Sequence, residues 1–178
     1  MKTLKTASPN SLRGLTLIES MVAIAVLGIL ISMAIPSFTN IWDQRRIVGA
    51  GDNLFASMRF AQSEALKRNT RVHLVFQAGA NWSYNICLTT DCSGAGDPLR
   101  AVSGADYRGT SLAVNTSPLS FDPKRGTLVQ APAATTAMLS LTLNTKNVGV
   151  QVDPNSQFQL CSTAGTGGYA ACPAAPAD

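Results

Sequence analysis

An apolar run near the start constrains this chain more than any other feature. Residues 15–35 read LTLIESMVAIAVLGILISMAI and include one charged side chain, Glu19. About 20 apolar residues are enough to cross a bilayer as a helix. A carboxylate inside such a run costs about 2.5–3.5 kcal/mol to insert, so Glu19 is a candidate functional residue that needs a cationic partner. The run therefore predicts a membrane-spanning helix with one functional carboxylate.

The residues before this run form a basic leader, 1–14, with Lys2, Lys5 and Arg13. No small-residue signal-peptidase site follows the run, so we expect it to be retained. Basic residues in front of an apolar helix place the N-terminus in the cytoplasm. We therefore expect a single-pass membrane protein whose remaining residues lie on the opposite side of the membrane from the cytoplasm.

The helix is expected to continue well beyond the apolar run. Pro36 removes one backbone donor and predicts a kink. From residue 37 to 68 apolar residues recur at helical spacing, which predicts an amphipathic second half with Leu54, Phe55, Met58 and Ala61 in the core. Two glycines, Gly49 and Gly51, mark a flexible or closely packed point in this half, and Arg45 and Arg46 are expected to face solvent.

The formal charge of +4 is concentrated in the leader. From Leu15 onward 11 basic residues face 10 acidic ones, which is a net charge of +1. Such a small charge does not favour a polyanionic partner. The roughly 140 residues after the apolar run suffice for one domain with one core.

Alternating apolar residues after Asn69 predict short strands separated by turns. Val72, Leu74 and Phe76 share one face, and His73 is expected to be half-exposed on the other. The apolar pattern also predicts a hairpin around residues 145–147, while the loops 92–105 and 131–136 remain unassigned. The predicted strands are 71–77, 82–89, 111–114, 119–121, 127–130, 137–144, 147–152 and 157–161.

Four cysteines behind an export signal indicate an oxidising compartment. They allow three pairings, of which local spacing favours Cys87 with Cys92 and Cys161 with Cys172. A four-cysteine zinc site is the alternative, but the ten residues between Cys161 and Cys172 fit zinc spacing poorly.

Nothing in the sequence forms a catalytic motif. The only histidine, His73, lies in a predicted strand, and no nucleophile elbow, phosphate-binding loop or paired-histidine helix is present. We therefore expect a non-enzymatic protein that needs no metal and no cofactor.

The segment RGLTLIE, residues 13–19, resembles the type III signal of type IV pilins and type II secretion pseudopilins. The resemblance implies that a prepilin peptidase cuts between Gly14 and Leu15 and methylates the new N-terminus. Leu15 stands where the family usually has phenylalanine. Glu19 becomes the fifth mature residue, matching the family's glutamate, and the α-amino group of a neighbouring subunit would supply its cationic partner.

The segment RFAQSEALKRNTRV, residues 59–72, is similar to the helix-to-strand passage of the GspH/FimT/FimU family of minor pilins and pseudopilins. Gln62 stands where that family has arginine. SFDPKRG, residues 120–126, resembles the family's turn with one extra residue. The resemblance implies an α+β, pilin-like fold in which a long N-terminal helix packs on an antiparallel β-sheet.

Together these observations predict a cleaved leader (1–14), a transmembrane and filament-core helix (15–36) and a pilin-like domain (37–178), whose residues 37–68 are helical and 69–178 rich in strands. The expected function is that of a minor, tip-associated subunit that helps to start type IV pilus assembly. Its partners would be other major and minor pilins, the prepilin peptidase and, before assembly, the inner membrane.

Two alternatives stay open. One is a minor pseudopilin of type II secretion. The other is a DNA-binding minor pilin for natural transformation, which the sequence makes unlikely because no Lys or Arg follows Lys146. A second basic surface could combine Lys124 and Arg125 with Arg100 and Arg108.

Overall fold

The structure is a computed structural model that describes residues 16–129, 135–141, 146–153, 156–162 and 165–172, without the side chains of 33–37 and 135–141. It forms two compact units, of which the first ends at Asn40 and the second begins at Ile41. Its elements are helix α1 (Leu17–Arg68) and strands β1 (Val72–Gln77), β2 (Ser83–Cys87), β3 (Arg100–Ser103), β4 (Thr110–Val114), β5 (Leu119–Phe121), β6 (Thr135–Leu141), β7 (Asn147–Val152) and β8 (Phe158–Cys161).

Helix α1 has clear signals at both ends. The Thr16 hydroxyl accepts a hydrogen bond from the Glu19 backbone N–H at 3.3 Å, which caps the first turn. Lys67 and Arg68 lie in the last turn, and Asn69 then adopts a left-handed conformation that ends the helix.

Helical structure is continuous through position 36, and the kink predicted at Pro36 stays a prediction because that side chain lies outside the described set. No helix in the described part of the chain meets the length and hydropathy needed to cross a membrane.

The strands form two antiparallel four-stranded sheets rather than one. The first has the order β3-β2-β1-β5 and the second β4-β6-β7-β8. The predicted hairpin is the β6–β7 pair, in which Leu139 lies opposite Val148. Its turn, 142–145, is outside the described residues. A bridge between Gly79 and Leu112 links the two sheets.

The core lies between α1 and both sheets. Ala50, Leu54, Met58, Ala61 and Ala65 occupy one stripe of the helix and are almost fully buried. Leu54, Met58 and Ala61 are among the residues predicted to be core. Phe55, also predicted to be core, is only partly buried. The sheets contribute the buried residues Val72, Leu74, Trp82, Tyr84, Leu112, Leu119, Phe121, Val150, Val152 and Phe158. The α+β fold inferred from sequence is therefore confirmed.

Several strand limits differ from the prediction. The strand predicted at 82–89 ends at Cys87 because the backbone N–H groups of Leu88 and Thr89 bind the Asp97 carboxylate instead of a strand. The strand predicted at 127–130 is reduced to a bridge at Leu128, whose N–H donates to the Ser156 hydroxyl. Strand β3 arises inside the unassigned loop 92–105.

Candidate assembly interface

The first candidate site is the start of α1. Gly14 and Leu15, the predicted cleavage site, lie outside the described residues. Glu19 is exposed in the first helical turn, where its negative charge interacts favourably with the positive end of the helix dipole. Its carboxylate has no hydrogen-bond or ion-pair partner within the described chain. Among the described residues, no group competes with a cation from another molecule for Glu19.

The described side chains of the first unit provide a large, mostly apolar exposed surface. Every residue from Thr16 to Ser32 is exposed. Ten of them are large and apolar: Leu17, Ile18, Met21, Val22, Ile24, Val26, Leu27, Ile29, Leu30 and Ile31. Apolar surface of this extent marks a protein–protein or membrane contact.

The second half of α1 is fixed to the sheets by a polar cluster as well as by the core. Asn53 donates from its amide to the Tyr107 hydroxyl at 2.9 Å and accepts from the Tyr84 hydroxyl at 3.0 Å. Ser57 and the Tyr84 hydroxyl lie 3.0 Å apart, and Arg100 also donates to Asn53 at 3.3 Å. Burial raises the pKa of Tyr84 to about 12 despite its bond to Ser57, so the phenol stays protonated and can donate.

The glycine at position 51 lets the helix approach β7 closely. A Cβ on Gly51 would lie 2.6 Å from Cγ1 of Val148. The corresponding space at Gly49 is open to 3.9 Å, where it meets Tyr107. The sequence suggested either flexibility or close packing at this pair of glycines, and at Gly51 the helix is closely packed.

A disulfide-closed loop at the C-terminal end docks on the same helix. Cys161 and Cys172 are bonded, which confirms the predicted pairing. The Tyr169 hydroxyl donates to the Asp52 carboxylate at 3.0 Å, and Gly167 lies against Val48. The pKa of Tyr169 is raised by burial and by Asp52. The bridge thus closes a loop whose described residues Gly167 and Tyr169 contact α1.

A second disulfide joins Cys87 to Cys92, again as predicted. The loop that follows is organised by Asp97, which accepts from the backbone of Leu88 at 2.6 Å and from the hydroxyl of Thr89 at 2.7 Å. Burial opposes ionisation, but these hydrogen bonds outweigh it and hold the pKa of Asp97 below its ordinary value. All described cysteines are paired, which excludes the four-cysteine zinc site.

The turn that resembles the family pattern packs on α1. Asp122 accepts from the backbone N–H groups of Lys124 and Arg125 at 2.8 and 3.0 Å, which lowers its pKa. Gly126 has a φ of 65° and its carbonyl accepts from the Gln62 amide at 2.9 Å. Gln62, the departure from the family pattern, therefore connects the helix to this turn.

The basic residues that the sequence offered as a second surface belong to two different segments. Arg100 donates to Asn53, and the Arg108 carbonyl accepts from Arg46 at 2.8 Å. Lys124 and Arg125 lie in the turn whose Gly126 carbonyl accepts from Gln62. Nine helical residues, about 13 Å, separate Asn53 from Gln62. A combined basic surface stays a prediction.

His73 is buried rather than half-exposed, with 8% of its surface accessible. The reason is strand β5, which places Ser120 opposite His73, so that their Nδ1 and Oγ atoms lie 2.7 Å apart. Burial, with repulsion from Arg71, lowers the pKa of His73.

Across the described ranges no three His, Cys, Asp or Glu side chains are close enough to hold a metal ion.

The sequence reasoning missed the polar cluster around Asn53. Asn53 and Ser57 are one helical turn apart on the side that meets the sheets, and this spacing of two small polar residues beside core positions was an available signal. It also missed the cap that Thr16 provides, which the T-x-x-E pattern of residues 16–19 could have indicated.

Comparison with known protein families gives two matches. Residues 50–169 match the family model of the type II transport protein GspH. Residues 10–35 match the prokaryotic N-terminal methylation motif, which is associated with prepilin-type processing. No curated protein sequence matches this chain.

Two crystal structures of the type IV minor pilin FimU from Pseudomonas aeruginosa strain PAO1 share the fold. The one in space group P21 has a TM-score of 0.53 and 21% identity, and covers 65% of this chain and 88% of FimU. The one in space group P65 has a TM-score of 0.50 and 22% identity, with coverages of 63% and 90%. The GspH match spans well over half of the sequence, and the chain therefore belongs to the GspH family of minor pilins and pseudopilins.

Proposed function

We propose that this chain is a minor subunit at or near the tip of a type IV pilus, where it joins other pilins and helps to start assembly. In this proposal a prepilin peptidase cuts between Gly14 and Leu15 and methylates Leu15. The inner membrane holds residues 15–36 before assembly, and the filament core holds them afterwards. The role is structural rather than enzymatic.

The observation that carries this proposal is the exposed apolar surface of residues 17–32. Leaving ten large apolar side chains in water is unfavourable, since each loses about 1.5–3 kcal/mol of burial energy. Lipid before assembly and neighbouring helices afterwards would both cover them. Glu19, free of partners in the described chain, would pair with a neighbour's α-amino group and set the stagger between subunits.

Type II secretion is the second candidate, because the matching family model describes a type II transport protein. We favour the pilus because the C-terminal loop closed by Cys161 and Cys172 is similar to that of many pilins. DNA uptake is a weaker candidate. No Lys or Arg follows Lys146, whereas phosphate contacts supply most non-specific DNA affinity.

A deletion strain tests the proposal and its alternative together. Surface piliation and twitching are expected to fall when the gene is deleted and to return when the full chain is supplied in trans. A selective loss of protein secretion would instead identify a pseudopilin. Unchanged piliation, twitching and secretion would refute both.

A further inference from the structure

One arginine on the second half of α1 is held in position without a carboxylate partner. The Arg59 guanidinium lies 5.0 Å from the ring centre of Phe55 and 5.8 Å from that of Phe158. The two rings meet edge to face at 6.3 Å. These are the contacts of the Arg59 side chain within the described residues, so its N–H donors remain available.

Arg59 lines a cleft of about 310 Å³ between α1 and the segment before β8. The other lining residues are Gln62, Ser156, Gln157 and Phe158. Two of their polar groups are already engaged, since the Gln62 amide donates to the Gly126 carbonyl and the Ser156 hydroxyl accepts from the Leu128 N–H. Arg59 is therefore the cationic donor that this cleft offers to a ligand.

The turn beside the cleft carries two further cations. Gln62 contacts the turn that contains Lys124 and Arg125, both exposed. Neither has a carboxylate within 4 Å among the described residues. Two carboxylates belong to the same segments, Asp122 in that turn and Asp153, whose N–H donates to the Gln157 carbonyl. Three cations against two carboxylates leave a small positive excess on the segments that border the cleft.

We infer that this cleft receives an Asp or Glu side chain from a neighbouring filament subunit, which pairs with Arg59 and is flanked by Lys124 and Arg125. This inference rests on the proposed function. A guanidinium fixed on aromatic rings loses little entropy when its planar fork binds a carboxylate through two hydrogen bonds. Arginine and aromatic residues are also enriched in protein–protein interfaces.

The rim of the cleft favours a protein over a nucleic acid. Leu66, 47% exposed, packs near Gly126, and Val129 is 38% exposed in the same loop. Apolar side chains beside the cations suit a protein surface. The net charge from Leu15 onward is only +1, which does not favour a chain of phosphates.

Charge reversal in the full chain tests the inference. Arg59→Glu, expressed in the deletion strain, is expected to reduce incorporation of the chain into sheared filaments at least about ten-fold, because it places two like charges together. The matched control Arg108→Glu makes the same charge change at an exposed arginine outside the cleft, and is expected to stay within about two-fold of the unchanged chain. Equal incorporation of the two variants would overturn the inference.

Two further variants keep the test decisive if Arg59→Glu does not accumulate. Lys124→Glu combined with Arg125→Glu alters only exposed side chains and should lower incorporation by a smaller factor. A photo-crosslinking amino acid at Ala56, which is exposed one turn before Arg59, should capture an acidic surface of another subunit. Capture of nucleic acid, or of a surface without carboxylates, would contradict the inference.

These experiments separate the inference from the function on which it depends. If deletion of the gene changes neither filaments nor secretion, the proposed function fails. If deletion has an effect but Arg59→Glu does not, only the carboxylate cleft is refuted.

Discussion

The two halves of helix α1 carry similar apolar side chains in opposite surroundings. In the leading half, residues 17–32, Leu27 is 58% exposed, whereas in the packed half, residues 47–65, Leu54 is fully buried. The packed half also has polar contacts with the sheets, including that of Asn53 with Tyr107. We infer from this difference that the two halves of α1 have different roles. Its packed half stabilises the domain, and its leading half offers apolar surface to other molecules.

The largest expected effect concerns Glu19 in the leading half. Glu19→Gln should reduce incorporation into filaments at least about ten-fold, because the neutral amide no longer pairs with a neighbour's α-amino group. The free energy of unfolding of the domain should not change. Quantitative immunoblots of sheared filaments and of whole cells measure the effect. Normal incorporation of Glu19→Gln would show that its charge has no role in assembly.

Substitutions of two leucines test which half of α1 contributes to the free energy of unfolding of the domain. Leu54→Ala should lower the free energy of unfolding by about 2–5 kcal/mol, because it leaves a cavity in the core. Leu27→Ala should change it by less than about 0.5 kcal/mol, since its side chain has no partner within the domain. Urea unfolding of the full chain in mild detergent, followed by the fluorescence of buried Trp82, measures both. Equal losses of unfolding free energy in the two variants would contradict the division of α1 into a packed half and a leading half.

Two glycines make the same comparison on a smaller scale. Gly51→Ala should destabilise the domain by up to about 2 kcal/mol, because the added methyl group meets Val148 and the clash exceeds the gain in helix propensity. At Gly28 no atom lies within 4 Å of an added Cβ, so Gly28→Ala should leave the urea midpoint unchanged or slightly raise it. A stabilising Gly51→Ala would contradict the close approach of α1 and β7.

The smallest effect concerns Glu64 in the packed half. Its hydrogen bond from Arg68, at 2.7 Å, lowers the pKa of Glu64 below the ordinary value of 4.5, with a further contribution from Lys67. A lowered pKa means that the ion pair stabilises the fold above pH 4.5 and that this contribution disappears as the pH falls through the folded pKa. Glu64→Gln should therefore lower the urea midpoint slightly at pH 7 and converge with the unchanged chain in acid. A difference that persists at low pH would show that packing, not charge, is responsible.

Much of the fold could be predicted because its signals are local. The helical spacing of Leu54, Met58 and Ala61 and the alternation of Val72 and Leu74 each report which face is buried. The cysteine pairs were also correctly preferred on spacing alone. Strand β3 was missed because it has four residues in a segment of turn-forming composition and exists only by pairing with β2.

The remaining features depend on contacts between distant segments. Alternation predicted that His73 faces away from the core, but it could not show that Ser120 covers that second face. The contact between Gln62 and the turn that contains Lys124 and Arg125 likewise joins residues 64 positions apart in the chain. Sequence spacing carries no information on such long-range pairs. The role of the leading half was predicted from its composition and its single carboxylate alone, and it stays a prediction.

We propose that this chain becomes a subunit of a filament through its leading half. The most direct test is mass spectrometry of purified filaments that have been sheared from cells. The chain should be present in these filaments, begin at Leu15 with a methylated amino group and be scarce relative to the main subunit. Its absence from both pili and pseudopili, or a chain that still begins at Met1, would show that the proposal is wrong.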